Sequence, residues 1–336
     1  MVQITTINSA SVDATDLADL IFGNGVSIQS ASYTGDGRSA GIFTQGNAQA
    51  PGVTPSDTGV ILSTGRATGF DTDGTDPNDV PNTTTNTSGP NNNAQFNALA
   101  GASTFDAAWL DVDFIPTGDT LSMQFVFASE EYPEYTNSIF NDAVGVWING
   151  QPATLSVGDG STSVGNLNQV DNINLYNDNT GDAFQTEMDG FTVTLTLTMT
   201  VIPNVVNSIR IGIADVGDSS YDSNLLIAAN SLQTELIAND DVVRLDANSS
   251  KTFDVLGNDQ GPTGATLTIT HINGIAIADG TPVAGGTQFD LTNGQSIVLN
   301  TNGTITIVSD AEEEIAPFSY TISDGTNTDT AFVTVN

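Results

Sequence analysis

Residues 190–201 carry the most constraining pattern in this sequence, because apolar side chains alternate there with threonines without interruption. A period of two places the apolar side chains on one face of a β-strand and the threonines on the other. The apolar face would consist of Phe191, Val193, Leu195, Leu197, Met199 and Val201. A strand of this kind belongs to an antiparallel sheet with one buried and one half-exposed face. The pattern therefore predicts a β fold.

One segment near the N-terminus has the features of a helix instead. It begins at Asp13, has acidic residues in its first turns, and ends before Gly23. Leu17, Leu20 and Ile21 fall on one face of this helix, which we expect to pack against a sheet.

The charge balance excludes several kinds of partner. Forty acidic residues face five basic ones, which gives a net charge of -35. Such a field repels nucleic acid and anionic membrane surfaces. There is no cysteine for a disulfide or a thiolate metal site, and no apolar run is long enough for direct membrane insertion. The N-terminal residues lack the pattern of a secretory signal, so the export route stays open.

An acidic loop between two apolar strands is the first candidate site. It lies within residues 125–150 and contains Glu130, Glu131, Asn141 and Asp142. Hard oxygen donors at the rim of a rigid sheet suit a hard cation such as Ca²⁺. The alternative is that these acids only form a solvated loop.

A second acidic loop follows the strand-like residues 207–214. Asp215, Asp218 and Asp222 recur there within eight residues. The two loops could share one Ca²⁺ if their strands are neighbours in the sheet.

A third candidate lies in residues 71–95, a long Asn/Thr/Pro/Asp-rich segment that we interpret as a loop. Asp71, Asp73 and Asp76 have the close spacing of a calcium-binding turn. The EF-hand template does not fit, because the glycine, Gly74, is the fourth residue of the loop instead of the sixth, and the twelfth is Asn82 instead of Glu. A plain Asp/Gly turn is the alternative.

Three longer segments resemble a known family. They are FASEEYPEY with the following FND, GDAFQTEMDGFTVTL, and IADVGDSSYDSNLLI. In this order and spacing they resemble the choice-of-anchor L family of bacterial surface domains, over about residues 10–235. The resemblance implies an extracellular β-sandwich whose attachment device varies between proteins. It indicates fold and location more than mechanism.

The remaining residues, from about Ala238, resemble a bacterial cadherin-like or Ig-like repeat. Residues 238–241, 253–259 and 318–325 carry this resemblance. We therefore predict an all-β protein: an antiparallel, jelly-roll-like β-sandwich with one short helix in residues 1–236, then a smaller Ig-like or cadherin-like sandwich in residues 237–336. Such repeats are commonly stiffened by cations at their junctions, for which the candidates are Asp240, Asp241, Asp259 and Asp324.

These observations favour a non-enzymatic structural or adhesive protein that is secreted or lies on the bacterial cell surface. Its expected ion is Ca²⁺, held by the acidic loops. Its expected partners are other surface proteins, glycans or further copies of itself, and neither nucleic acid nor the membrane interior.

Three other functions are compatible with the same residues. The first is a lectin-like module in which Ca²⁺ positions a sugar at the acidic loops. The second is a subunit that assembles into a filament or surface layer. The third is a glycan-active enzyme that pairs Glu130 or Glu134 with Asp142 or Asp222. Such an enzyme needs an aromatic-lined cleft, for which the sequence offers Tyr132, Tyr135 and Trp147.

Overall fold

The structure is a computed structural model, and it describes all residues except 10, 72–77, 79, 81, 246–247, 293, 310–315 and 336. The described residues form β-strands joined by loops, with a few short helices. This confirms the predicted all-β fold.

Two antiparallel sheets form the first sandwich. Its strands are β1 (Gln3–Thr6), β2 (Val26–Thr34), β3 (Ala40–Thr44), β4 (Thr58–Ser63), β5 (Thr104–Pro116), β6 (Thr120–Ser129), β7 (Ala143–Ile148), β8 (Gln151–Pro152), β9 (Thr162–Ser163), β10 (Tyr176–Asp178), β11 (Gly190–Thr192), β12 (Leu195–Thr200), β13 (Asn207–Val216) and β14 (Ser223–Ala228). Sheet 1 has the order β1-β3-β4-β14-β6-β11-β10, with β12 also paired to β6. Sheet 2 has the order β2-β5-β13-β7-β8, with β9 also paired to β7.

The main hydrophobic core lies between sheets 1 and 2. Sheet 1 contributes side chains such as Leu62, Phe125 and Leu225, and sheet 2 contributes Leu110 and Ile211. All five are fully buried. Successive side chains of a strand point to opposite faces of the sheet, so every second residue of these strands faces away from the main core. The outer face of each sheet carries a smaller apolar cluster of its own.

The predicted N-terminal helix is confirmed as α1 (Ala14–Ile21). Asp13 and Asp16 form a capping box, in which each side chain accepts a hydrogen bond from the other residue's backbone N–H. Leu17 and Ile21 are fully buried against the sandwich core. The local signals for this helix therefore agree with its packing.

The described residues contain two further helices. They are α2 (Gly46–Gln49) and α3 (Ala94–Ala100), and the 3₁₀ turns are Ala67–Gly69, Ile173–Leu175 and Ile277–Asp279. We interpreted residues 71–95 as loop, but α3 begins within them at Ala94 and is capped by Asn93. It packs Phe96 on the outer face of sheet 2.

The uninterrupted strand predicted for residues 190–201 divides into β11 and β12. Both pair with β6, but the pairing is interrupted from Thr192 to Thr194. Leu195, Leu197 and Met199 point into the main core, whereas Phe191 joins the cluster on the outer face of sheet 1. The prediction that all six apolar residues share one face is therefore wrong for Phe191, because a break in a strand shifts the alternation.

The second sandwich also consists of two sheets with a core between them, but most of its strands are shorter. Its strands are β15 (Asp241–Val243), β16 (Ser250–Phe253), β17 (Thr268–Ile272), β18 (Ile275–Ala276), β19 (Thr281–Val283), β20 (Gly286–Asp290), β21 (Ser296–Asn300), β22 (Ile305–Val308), β23 (Phe318–Ser323) and β24 (Thr328–Val335). One sheet has the order β15-β24-β23-β17-β18 and the other β16-β22-β21-β20-β19. The pair β15/β24 is parallel. A separate core that includes Ile297, Ile305 and Tyr320 lies between these sheets.

Asp329 on β24 joins the two sandwiches. Its carboxylate, 0 % exposed, accepts hydrogen bonds from Ser122 Oγ at 2.6 Å and Gln124 Nε2 at 3.3 Å, both on β6. It also accepts the Ala238 N–H at 2.9 Å. One buried side chain thus contacts the outer face of sheet 1 and the segment that links the sandwiches.

Candidate functional site

The acids of the first two predicted loops meet at one end of the first sandwich. Glu130 and Glu131 follow the end of β6, and Asp222 directly precedes β14. Asp142 directly precedes β7, and Asp215 lies at the end of β13. Because β14 pairs with β6 and β13 pairs with β7, these ends are adjacent. All five residues are at least 96 % buried. The structure therefore brings together two loops whose proximity the sequence left open.

Asp142 and Asp215 form the centre of this group. Asp142 accepts the Val216 N–H at 2.9 Å through Oδ1 and the Ser223 hydroxyl at 2.7 Å through Oδ2. The two carboxyls are close enough for the charge of one to affect the ionisation of the other. Burial raises the pKa of both, and the charge of Asp142 raises that of Asp215 further.

Glu131 lies next to this pair. Burial raises its pKa to about 9, and the charges of Asp142, Asp218 and Glu134 add to the shift. Its Oε2 atom is buried and has no hydrogen-bond partner among the described residues. Asp218 itself is exposed, and its Oδ1 accepts the Ser220 N–H at 2.9 Å.

Glu130 and Asp222 each use one oxygen to hold the loop before α3. Glu130 Oε2 accepts the Asn82 N–H at 3.2 Å, and Asp222 Oδ1 accepts the Thr85 N–H at 2.7 Å. Their other oxygens, Oε1 and Oδ2, are buried without a partner in the described structure. Burial and the neighbouring Asp189 raise the pKa of Glu130 to about 9. Burial raises that of Asp222 to about 6.

Two more acids, Asp106 and Asp36, bind the next residues of the loop before α3. Asp106 accepts the Thr87 N–H at 3.1 Å, and Asp36 accepts the Ser88 N–H at 3.0 Å. Arg38 makes a bidentate ion pair with Asp36 and holds the pKa of that carboxyl well below its usual range. Residues 82–88 are therefore held to the sandwich by four carboxylates. We did not predict a role for Asp36, Asp106 or Asp189. Their hydrogen-bond partners in that loop, Ser88, Thr87 and Asn78, are at least 19 residues away in sequence.

The remaining predicted ligands lie elsewhere. Asn141 Oδ1 accepts the Gly165 N–H at 2.6 Å and so fixes a neighbouring loop. Asp71 is buried, and its Oδ2 accepts the Val2 N–H at 2.6 Å. This hydrogen bond joins the start of β1 to the residues that follow the 3₁₀ turn Ala67–Gly69. Asp73 and Asp76 lie outside the described residues.

The aromatic residues near the acids mostly pack. Tyr132 is fully buried and donates its hydroxyl hydrogen to Leu167 O at 2.5 Å. Tyr135 packs on Tyr221 with ring centroids 5.2 Å apart. Trp147 lies on the outer face of sheet 2. Tyr132 and Trp147 therefore do not line the cleft that a glycan-active enzyme would need at the acidic loops.

Two of the four junction acids of the second sandwich, Asp241 and Asp259, contact a tyrosine. Tyr320 Oη lies 3.1 Å from both Asp241 Oδ2 and Asp259 Oδ1. Burial raises the pKa of Asp241 to about 7 and that of Asp259 to about 6. Asp240 accepts the Phe332 N–H at 2.7 Å, and Asp324 accepts backbone N–H groups within its own turn. Each of these acids therefore has a structural contact.

The described carboxylate oxygens at the end of the first sandwich are the donor type that a hard cation prefers, but they do not converge on one coordination centre. Among the described residues, no group of three or more Asp, Glu or His side chains is placed so that it could hold a metal ion. Within the described part of the chain, four buried carboxylate oxygens nevertheless lack a hydrogen-bond partner there, one each from Glu130, Glu131, Asp215 and Asp222. Buried carboxylate oxygens without partners are rare, and cation binding is one way to compensate them.

Within the described residues, no helix is long and apolar enough to cross a membrane. Among curated proteins, none matches the sequence. Similar solved structures include the I9–I11 tandem of titin, with 11% identity and a TM-score of 0.16 over 68% of this chain and 59% of that chain. Extracellular domains 3–5 of Drosophila OTK show 11% identity and a TM-score of 0.19, over 66% of this chain and 61% of that one. The chain thus spans about three fifths of the length of these two structures.

Two domain families match the sequence in the predicted order. Residues 6–233 match the choice-of-anchor L domain, and residues 233–336 match a bacterial Ig domain. Domains of these families are typically structural, and they indicate a cell-surface or extracellular protein. The chain therefore belongs to the choice-of-anchor L domain family and continues into a bacterial Ig domain.

Proposed function

We propose that this chain is a structural or adhesive module of the bacterial cell surface or extracellular space, and that Ca²⁺ orders the acidic end of its first sandwich. The observation that carries the proposal is the set of four buried carboxylate oxygens at that end that have no partner among the described residues. Ca²⁺ takes six to eight oxygen ligands with flexible geometry, so carboxylates from several loops can satisfy it.

Glu131, Asp142 and Asp215 are the residues that we expect to hold the ion, with Asp218 or Asp222 completing its shell. Binding would require side-chain rotations to bring the oxygens together. Calcium would thereby compensate charges whose burial is otherwise unfavourable. Partners of the module would be other surface proteins, glycans or copies of the same chain.

Thermal denaturation of the whole chain tests the proposal. At a Ca²⁺ concentration 100 times the dissociation constant, binding stabilises the folded state by about 2.7 kcal/mol relative to the chelated protein. For a sandwich of this size that corresponds to a rise in melting temperature of about 5–11 °C.

Two variants make the test specific. Asp215→Asn should abolish the calcium-dependent rise, because it removes a charged oxygen ligand. Asp57→Asn removes the same charge at an exposed position and should retain the rise. Equal melting temperatures with Ca²⁺ and with chelator in the unmodified chain would contradict calcium binding.

A further inference from the structure

The outer face of sheet 2 carries a groove, away from the acidic end. Its volume is about 330 Å³, at the lower end of the range of about 300–1,000 Å³ that is usual for small-molecule sites. Its lining comes from β2, β5, β13 and β7, together with Gln95 of α3.

The shape of the groove follows from side-chain size in successive rows across the sheet. In the first row, Gly212 and Gly145 are paired, and added Cβ atoms there would lie 2.9 Å and 3.1 Å from the Phe96 ring. This lets α3 approach the sheet closely over that row. In the third row, two positions beyond the middle one that is described below, Ser30 and Ser208 flank Asp113. Small hydroxyl side chains in that third row leave the space that α3 does not cover.

The row between them is charged and rigid. Ser32, Asp111, Arg210 and Trp147 are neighbours across the four strands. Arg210 donates from Nε to Asp111 Oδ1 at 2.7 Å and from Nη2 to Oδ2 at 2.9 Å. A bidentate pair of this kind holds two planar polar groups in one plane.

Further contacts fix this pair from the side of α3. Gln95 Oε1 accepts a hydrogen bond from Arg210 Nη1. The Arg210 guanidinium lies 4.8 Å from the centroid of the Trp109 ring, and Trp109 Nε1 donates to Asp111 Oδ2 at 3.0 Å. A ligand that binds here would not have to order these side chains, which removes part of the usual entropic cost of binding.

The polar groups of the groove limit the chemistry of its ligand. Asp111 and Asp113 together with the net charge of -35 disfavour an anion, and Arg210 disfavours a cation. Carboxylate acceptors, a guanidinium donor and serine hydroxyls match groups that both donate and accept hydrogen bonds. Adjacent hydroxyls of a sugar ring have this property.

We propose that the groove between α3 and the serine row of sheet 2 binds a neutral saccharide of one or two sugar units. Asp111 and Arg210 would hydrogen-bond adjacent hydroxyls, and Asp113 and Ser208 would contact the next ones. The site is independent of the acidic end and of any bound cation.

Isothermal titration calorimetry of the full chain with neutral disaccharides of glucose, galactose, mannose and N-acetylglucosamine tests this, in buffer with chelator. At least one of them should bind. Asp113→Asn should weaken that binding about tenfold, as expected for one hydrogen bond to a charged group. Ser208→Phe should abolish it by filling the groove.

Asp119→Asn is the matched control, since it removes the same charge at an exposed turn outside the groove. It should leave the affinity unchanged. Asp113 and Ser208 are both exposed, so the variants should melt like the parent chain. The proposal is overturned if no disaccharide of the panel binds, or if Ser208→Phe binds as well as the parent.

Discussion

In the absence of divalent cations, the first sandwich should lose stability as the pH rises. The buried carboxyls have a higher pKa in the folded chain than in the unfolded one, about 6 for Asp222 and about 9 for Glu130 and Glu131. Between the unfolded and the folded pKa, the folded state keeps a proton that the unfolded state has released. The contribution of each group is therefore fully present below its unfolded pKa and is lost as the pH rises through its folded pKa.

The size of the effect can be worked out for Asp222, whose pKa is raised from 3.8 to about 6. Each pKa unit corresponds to about 1.36 kcal/mol, so ionising this one buried group costs about 3 kcal/mol. In a sandwich of roughly 200 residues, this lowers the melting temperature by about 6–12 °C between about pH 4 and pH 6. Glu130 and Glu131 should extend the decline toward about pH 9.

Differential scanning calorimetry in chelator, from about pH 4 to pH 9, measures this slope. Asp222→Asn keeps an acceptor for the Thr85 N–H but cannot ionise, so its curve should be flatter below about pH 6. Asp57→Asn changes the same charge at an exposed site and should keep the slope of the parent chain.

Two results would refute the reasoning. One is a melting temperature that stays constant or rises with pH, because the buried carboxyls would then have no raised pKa. The other is equal flattening in Asp222→Asn and Asp57→Asn, which would assign the slope to overall net charge. Paired carboxyls such as Asp36, whose pKa is lowered, act in the opposite direction and are stabilising at neutral pH.

Three substitutions test other parts of the structure. Gly65→Ala would place a Cβ atom 1.8 Å from Asp222 Oδ2, so the carboxylate must move; we expect a loss of about 1–3 kcal/mol in urea unfolding and a flatter pH slope. Asp329→Ala leaves the buried donors at the contact between the sandwiches unpaired and should cost about 1–3 kcal/mol, measured at pH 8. An unchanged midpoint would contradict either expectation. Phe96→Ala should cost about 3–5 kcal/mol and shift tryptophan fluorescence, because Phe96 packs on both tryptophans of the outer cluster; unaltered emission would contradict that packing.

Local sequence determined the secondary structure where neighbouring residues supply the relevant interactions. Asp13 and Asp16 cap α1 within four residues, and Leu17 and Ile21 share a face because of the helical period. Short alternating segments became strands, because a period of two needs only adjacent positions. The same reasoning found the acidic loops after β6 and β13, and the resemblance to two families identified the order of the sandwiches.

Only the tertiary structure decided which of these acids are neighbours and what they contact. Glu130 and Asp222 are 92 residues apart but adjacent across β6 and β14, and both hold a loop near residue 83. The break at Val193 and the approach of α3 over Gly145 likewise depend on the register of partner strands. Pairing between distant strands is set by the packing of the whole core, so no local pattern in one strand specifies it.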